Sequence, residues 1–358
     1  MTTAENILSP GANAPVTSPP RRAFRPAAAA APSTGTARPA YSVWWTGLAA
    51  ALAWLTLGLL TDIWPNKPVG FSDWAYTAEF AWFAFGAAGV LLVLGLALGL
   101  TAPVSTRLRG AGPWLVALAL ALAVWEVFTA KLGTLPPPFF APPQSLIEVF
   151  VSDWARLLDS AGHSLQLLAI GIGIGAATGF VVGVLIGWSK LANYWIHPVL
   201  RVLGPVPTTA LLPISFYFFP SSWSTAIFLI ALGTAFPVAI LTWSGVASVN
   251  RNLYDVARTM GASPWFLVLR VAIPASLPQV FVGLFMGLGA AFSTLVVAEM
   301  LGVKSGLGWY LTWAQGWASY PNMYGALLLM ALLFSGVISL LFVLRDRVLS
   351  WQKGIVKW

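Results

Sequence analysis

Eight stretches of this chain are apolar enough to leave water: 43–61, 79–101, 112–131, 164–187, 205–220, 223–247, 275–300 and 322–344. A helix needs about 20 such residues to cross the hydrocarbon core of a bilayer. In lipid every backbone N–H and C=O must be satisfied inside the protein, and a helix does this segment by segment. The expected fold is an all-α polytopic membrane protein. Composition agrees, with 58% hydrophobic and 8% charged residues, against about 25% charged in a soluble domain. The fifth stretch, 205–220, is short and interrupted by Pro205, Pro207 and Pro213, so a broken span is expected there.

The same composition removes several kinds of chemistry. Cysteine is absent, which excludes disulfides, thiol catalysis and Cys-ligated metal centres. His163 and His197 are the two histidines, so no metal site is expected. No nucleophile–base constellation is legible, and an enzyme is not expected. The formal net charge of +8 reads as topology. With the N-terminus inside and eight crossings, fifteen of the nineteen Lys and Arg fall on inner segments; Lys67, Lys131, Arg156 and Lys304 fall outside. Both termini are thus expected in the cytoplasm, with no nucleic-acid partner. Many of the nineteen Trp lie near span ends and read as an interfacial belt.

Residues 1–41 are rich in Pro, Ala, Ser and Thr, with four Arg, and read as a disordered basic tail. The next apolar run, Val43–Leu60, is too long for a secretory signal. Trp64-Pro65-Asn66-Lys67 follows it in place of a small-residue cleavage site, so it reads as an uncleaved span. Further on, Ser145–Leu158 is amphipathic and is expected to lie at the outer interface.

Gly171, Gly175, Gly179, Gly183 and Gly187 recur every four residues along the fourth span. Small residues at that spacing let two helix backbones approach, so this stripe reads as a helix-packing face. Between the sixth and seventh spans lies a polar loop with its own helix punctuation. Leu253–Met260 suits a short helix ended by Gly261. Ser263 suits an N-cap and Pro264 the first helical position of a second short helix, Trp265–Val271, with Pro274 and Pro278 limiting its continuation. A capped pair of helices makes a compact knob at the membrane face.

This loop resembles the "EAA" loop of ABC-importer permeases: Glu-Ala-Ala, three residues, Gly, nine residues, Ile-x-Leu-Pro. Here Asp255-Val256-Ala257 is followed at the same spacing by Gly261 and by Val271-Ala272-Ile273-Pro274. Pro205 to Pro213 resembles the "PIPxLALIPL" stretch of nitrate, sulfonate and taurine permeases. Ala298 to Gly308 resembles their "AEMIGxxSGLG" stretch, and Leu135-Pro136-Pro137-Pro138 their approach to the core. The resemblance covers about 135–358 and implies a type I importer core, 132–358, preceded by an extra N-terminal transmembrane region, 42–131, of about three helices.

The resemblance further implies a permease of the bacterial inner membrane that imports a small solute. It implies two ATP-binding cassette ATPase subunits, a second permease copy and an extracytoplasmic solute-binding protein as partners. ATP would act on the ATPase, because this chain has no G-x-x-x-x-G-K-[ST] phosphate loop and carries no cofactor of its own. Asp255, Ala257, Arg258, Gly261, Ala262, Ser263, Pro264 and Pro274 would then form the ATPase-coupling loop. Prolines in a span free backbone carbonyls that threonines can satisfy, so Pro205, Pro207, Thr208, Thr209 and Pro213 are candidates for the substrate path. Glu299, an intramembrane acid, joins them, with a structural bond to the Ser305–Gly308 backbone as the other reading. The cargo suited to this family is an anion such as a sulfonate, taurine, nitrate or bicarbonate. A vitamin-precursor importer and a stand-alone secondary transporter or channel are the alternatives. The second predicts charged relay residues in several spans, where only Glu126 and Glu299 occur.

Overall fold

A computed structural model of the chain describes residues 43–68, 74–97 and 102–352; the expected tail 1–41 lies outside them. Among the described residues all regular structure is helical. Seven helices are long and apolar enough to cross a membrane.

The first three form an up-down-up unit: α1 (Trp45–Ile63), α2 (Thr77–Ala97) and α3 (Ala102–Glu126), the last extended by a π-turn, Val127–Lys131. Trp44 N–H donates to Gly95 O at 3.2 Å, which sets α2 antiparallel to α1. Thr61 at the end of α1 meets Glu126 at the end of α3, which sets those two parallel. Ala50, Ala51, Ala84 and Ala88 are buried between the helices, and such small residues allow close packing without a hydrophobic drive.

The core follows. The expected amphipathic stretch 145–158 is divided at Asp153, between α4 (Pro143–Ser152) and α5 (Trp154–Trp188). The fourth span therefore begins well before residue 164, and His163 lies inside α5, its Nδ1 2.9 Å from Asp159 O. All five glycines of the stripe meet α8 (Ser222–Ala247). A Cβ at Gly171, Gly175, Gly183 or Gly187 would come within 2.7 Å of Ile230, Thr234, Thr242 and Val246 respectively. Both series ascend together, so α5 and α8 run parallel. The chain must then return across the bundle between Trp188 and Ser222.

That return is made by α6 (Lys190–Leu203), a 3-10 turn (Thr208–Leu211) and α7 (Leu212–Phe218), bent by 90° at the break. The expected fifth span, 205–220, is corrected accordingly: residues 205–207 are not helical, 208–218 are, and the amphipathic helix α6 precedes them. Pro205 and Pro207 have no N–H to continue α6, which forces the break. His197 sits inside α6 with its ring 4.4 Å from that of Trp243.

After α8 come α9 (Arg251–Thr259), α10 (Pro264–Phe266) and a π-turn, Leu267–Ala272, which runs straight into α11 (Ile273–Leu301). Pro264–Leu301 is thus one helical run of 38 residues. The expectation that Pro274 and Pro278 would limit the second short helix is corrected. The π-turn shifts the hydrogen-bond register just before Pro274, so the missing N–H interrupts no regular turn. Then α12 (Leu307–Gly316) caps the bundle, and α13 (Tyr320–Val348) descends along α11, its Phe342 and Phe334 stacked on Phe285 and Phe292.

Two ends are defined by these contacts. The Trp188 ring packs on Tyr254 at 5.9 Å, so the ends of α5 and α8 share one face with α9. Ser164 and Glu299 lie at the opposite end. Arg109, Lys190, Arg201, Arg251, Arg258, Arg270, Arg345 and Arg347 lie toward the Gly261 end, and Lys67, Lys131, Arg156 and Lys304 toward the Glu299 end.

Candidate functional site

The knob at the Gly261 end is built by local capping. Asn250 Oδ1 accepts from Asn252 N–H at 3.0 Å and starts α9. Gly261 ends it at φ +82°, a left-handed conformation that favours glycine. Gly261 N–H donates to Arg258 O at 2.9 Å and Ala262 N–H to Ala257 O at 3.1 Å, the paired bonds of a Schellman cap. Ser263 Oγ then accepts from Phe266 N–H at 3.3 Å, with Pro264 at the first helical position. Each cap satisfies groups that an exposed loop would otherwise leave to water.

The knob is exposed over most of its surface. Asp255 and Arg258 pair at 3.5 Å, both more than half exposed. A pair in that setting contributes at most about 1 kcal/mol. Leu253, Val256, Met260, Trp265 and Phe266 are exposed beside it, an apolar patch rimmed by charge. Ala257 and Tyr254 turn inward. Burial pushes the Tyr254 phenol up from its ordinary range, and the Arg258 charge pulls it part of the way back.

Thirty residues along the same run, α11 reaches a cavity of about 490 Å³ in the middle of the bundle. The broken segment supplies Pro205, Pro207, Thr208 and Thr209; α8 supplies Gly233 and Pro237; α11 supplies Ser293 and Thr294. Thr208 Oγ1 and Thr294 Oγ1 are 2.7 Å apart. Because Thr294 donates to Ala290 O at 2.9 Å, Thr208 is the donor between them. The cavity lining carries hydroxyls and backbone among apolar groups, and no charged side chain. Ser293, Thr294 and Gly233 carried no motif and went unnoticed in the sequence.

Pro213 and Glu299, also expected on the path, lie outside this cavity. Pro213 sits in the first turn of α7, exposed and outside the cavity lining. Glu299 is buried at the far end of α11. Its Oε1 accepts from Ser164 Oγ at 2.7 Å and its Oε2 from Gly308 N–H at 2.8 Å. Ser164 Oγ in turn accepts from Leu307 N–H at 2.8 Å. Gly306 adopts φ +95° against this carboxylate, with no room for a Cβ. Glu299 thus ties α5, α11 and the Ser305–Gly308 turn together.

A second polar cluster holds α12 at the same end. Tyr310 Oη donates to Asp153 Oδ2 at 2.6 Å and accepts from Asn322 Nδ2 at 2.6 Å. Arg156 lies 3.7 Å from Asp153 and stacks over the Trp313 ring. Burial raises the Tyr310 phenol well above its ordinary range, and its bond to Asp153 raises it further. In the N-terminal unit Lys131, at the Glu299 end, is buried. It pairs with Glu126 at 3.5 Å and donates to Thr61 O at 2.9 Å and to Trp64 O.

Residues 169–352 match the family described as "Binding-protein-dependent transport system inner membrane component". The nitrate import permease protein NrtB of Synechococcus elongatus is 31% identical over 265 residues, 68% of this chain and 89% of that protein. SsuC of Bacillus subtilis, named for aliphatic sulfonates transport, is 29% identical over 239 residues, 66% of this chain and 86% of that protein. Among solved structures, a chain of the MetNI methionine ABC transporter aligns over 54% of this chain and 95% of its own length, with TM-score 0.45 and 20% identity. The chain belongs to the family of binding-protein-dependent transport system inner membrane components, and it is the multi-pass permease subunit of an ABC importer.

Proposed function

We propose that this subunit imports a small solute bearing one oxyanion group, with nitrate and sulfonates (simple alkanesulfonates and the zwitterion taurine) as the first candidates and bicarbonate next. One observation carries the coupled import: from the exposed, capped knob an unbroken helical run, Pro264–Leu301, reaches the α11 residues that line the cavity. In this reading a cassette ATPase grips Leu253, Val256, Met260, Trp265 and Phe266, with Asp255 and Arg258 at the rim. Nucleotide-driven closure of the ATPase moves α9, Gly261 keeps the knob compact, and Pro264 to Pro274 passes the motion into α11.

Thr209 and Ser293 offer an anion hydroxyl donors without a fixed countercharge that would hold it, and Thr208 and Thr294 add theirs once their mutual bond opens. Relatives named for nitrate import and for aliphatic sulfonates transport support the cargo class. The excess of Lys and Arg toward the Gly261 end supports placing that end, and both termini, in the cytoplasm. A solute-binding protein then docks at the Glu299 end, and a second copy of this chain completes the pathway. Residues 42–131 form an added unit and 132–358 the transport core.

The test is reconstitution of the chain in vesicles with its ATPase and binding protein, followed by uptake of labelled nitrate and taurine. Nucleotide-dependent uptake of either is expected. Uptake without any ATPase overturns the coupling, and nucleotide-dependent uptake of neither overturns the cargo class.

A further inference from the structure

The N-terminal unit and the core meet along α4, and the junction is not filled. A cavity of about 450 Å³ opens between α2, α3, α4 and α13. That volume lies in the range of small-ligand sites. Phe80 and Phe83 of α2, Leu122 of α3, Leu146 and Phe150 of α4 and Leu328 of α13 line it. Three of the four helices are bilayer-crossing, so the medium at the open side is lipid. Water has no partner on such walls, and a hydrocarbon chain loses nothing by entering.

One lining residue breaks the apolar pattern. Glu79, in the first turn of α2, stands at the cavity with its side chain exposed, and no ion pair to it is formed among the described residues. It lies at the Glu299 end of the bundle, within a few residues of Trp74 and Tyr76, where the helix enters the bilayer. Aromatic residues favour that level. A carboxylate there faces lipid head groups while the cavity beneath it faces their chains. Charge complementarity selects a cationic group for the carboxylate, and hydrocarbon for the cavity.

We propose that this junction holds one phospholipid with a primary-amine head group, its ammonium at Glu79 and one acyl chain between α2, α3, α4 and α13. The lipid fills the seam between the added N-terminal helices and the transport core. It makes their packing dependent on membrane composition. The compact ammonium has N–H donors that can hydrogen-bond the carboxylate, which a choline head group lacks. An anionic head group is repelled.

The purified full-length chain, in mixed vesicles of phosphatidylethanolamine, phosphatidylcholine and phosphatidylglycerol, is extracted into mild detergent and weighed by native mass spectrometry. The wild type is expected to retain one phosphatidylethanolamine, with a preference of about threefold or more over either competitor, the yield of one partly exposed ion pair. Glu79→Gln is expected to keep a bound lipid but lose the preference. Leu146→Trp fills the cavity and is expected to lose the lipid. Val151→Trp narrows the cavity from an exposed position that tolerates a large side chain, and serves if Leu146→Trp does not fold. Equal retention by the wild type and the filled variants overturns the site. A preference unchanged in Glu79→Gln overturns the head-group assignment.

Discussion

Ser164 donates a 2.7 Å hydrogen bond to Glu299 across 135 residues of sequence. The bond closes a loop in which Glu299 receives Gly308 N–H and Ser164 receives Leu307 N–H. A buried carboxylate is tolerated because each of its oxygens has a donor. Glu299→Leu leaves Ser164 and the Gly308 amide without that partner, and a loss of about 1–3 kcal/mol is expected for each buried group so orphaned. Thermal unfolding in detergent should show Glu299→Leu far below wild type, with Glu299→Gln between them. Equal melting of wild type and Glu299→Leu contradicts the role.

Gly261 has open space around it, so a side chain there meets no neighbour. What it meets is its own backbone at φ +82°, a region that disfavours β-branched residues most. Gly261→Val is expected to undo the cap, at about 1–2 kcal/mol local to the knob, while the bundle melts as before. Pull-down of the ATPase should fall sharply. Gly261→Asn, which accepts the left-handed region more readily, should retain part of the binding.

Gly183 has the opposite constraint. Its φ is ordinary, but a Cβ would meet Thr242 and Ala239 O. Gly183→Leu is expected to separate α5 from α8 and lower stability by about 1–3 kcal/mol or more. Yield of folded chain by size-exclusion chromatography reads this out.

Thr294→Val keeps the shape of the side chain and removes both its bond from Thr208 and its donation to Ala290. With the proposed anion path, uptake should drop by about tenfold or more, as for loss of one hydrogen bond to a charged ligand. ATPase assembly should be unchanged. Thr208→Val should behave alike, and the double variant should lose less than the sum, since the two share one bond.

Tyr310 supplies a pH dependence. Its phenol is raised in the folded protein by burial and by Asp153, so the folded state keeps the proton where the unfolded chain gives it up. Stability from this group is full below the ordinary Tyr value of about 10 and falls as pH rises above it. Tyr310→Phe should melt lower than wild type at neutral pH and show a flatter decline above pH about 10. Melting curves across that range check the sign.

The long spans were legible because their signal is local: an apolar run fixes a helix without knowledge of its neighbours. The Gly261 stop and the Ser263-Pro264 start were legible for the same reason, since they act within a few residues, whereas the Asn250 cap that starts α9 two residues before Leu253 was not. The return segment was read poorly. α6 has no buried residue and carries Lys190 and Arg201, so hydropathy marks it as a loop. Its helix is set by a Ser189 cap and an amphipathic face. The Pro274 stop failed because a π-turn upstream absorbs the proline. Contacts such as Ser164 with Glu299 or Tyr310 with Asp153 join residues over 100 apart, and nothing in either local sequence names the other.

The unbroken run from Pro264 to Leu301 is a beam about 57 Å long at about 1.5 Å per residue. It bears closely on α8 where Gly283 and Gly287 leave no side chain between the backbones. Taken as a fulcrum, that point divides the beam into arms of about 32 Å toward Pro264 and about 14 Å toward Thr294. A swing of about 5 Å at the exposed tip becomes an opposite displacement of about 2 Å at Thr294. That is enough to part a 2.7 Å contact with Thr208, so a broad, weak push on the surface is geared down to a short, decisive opening at the centre.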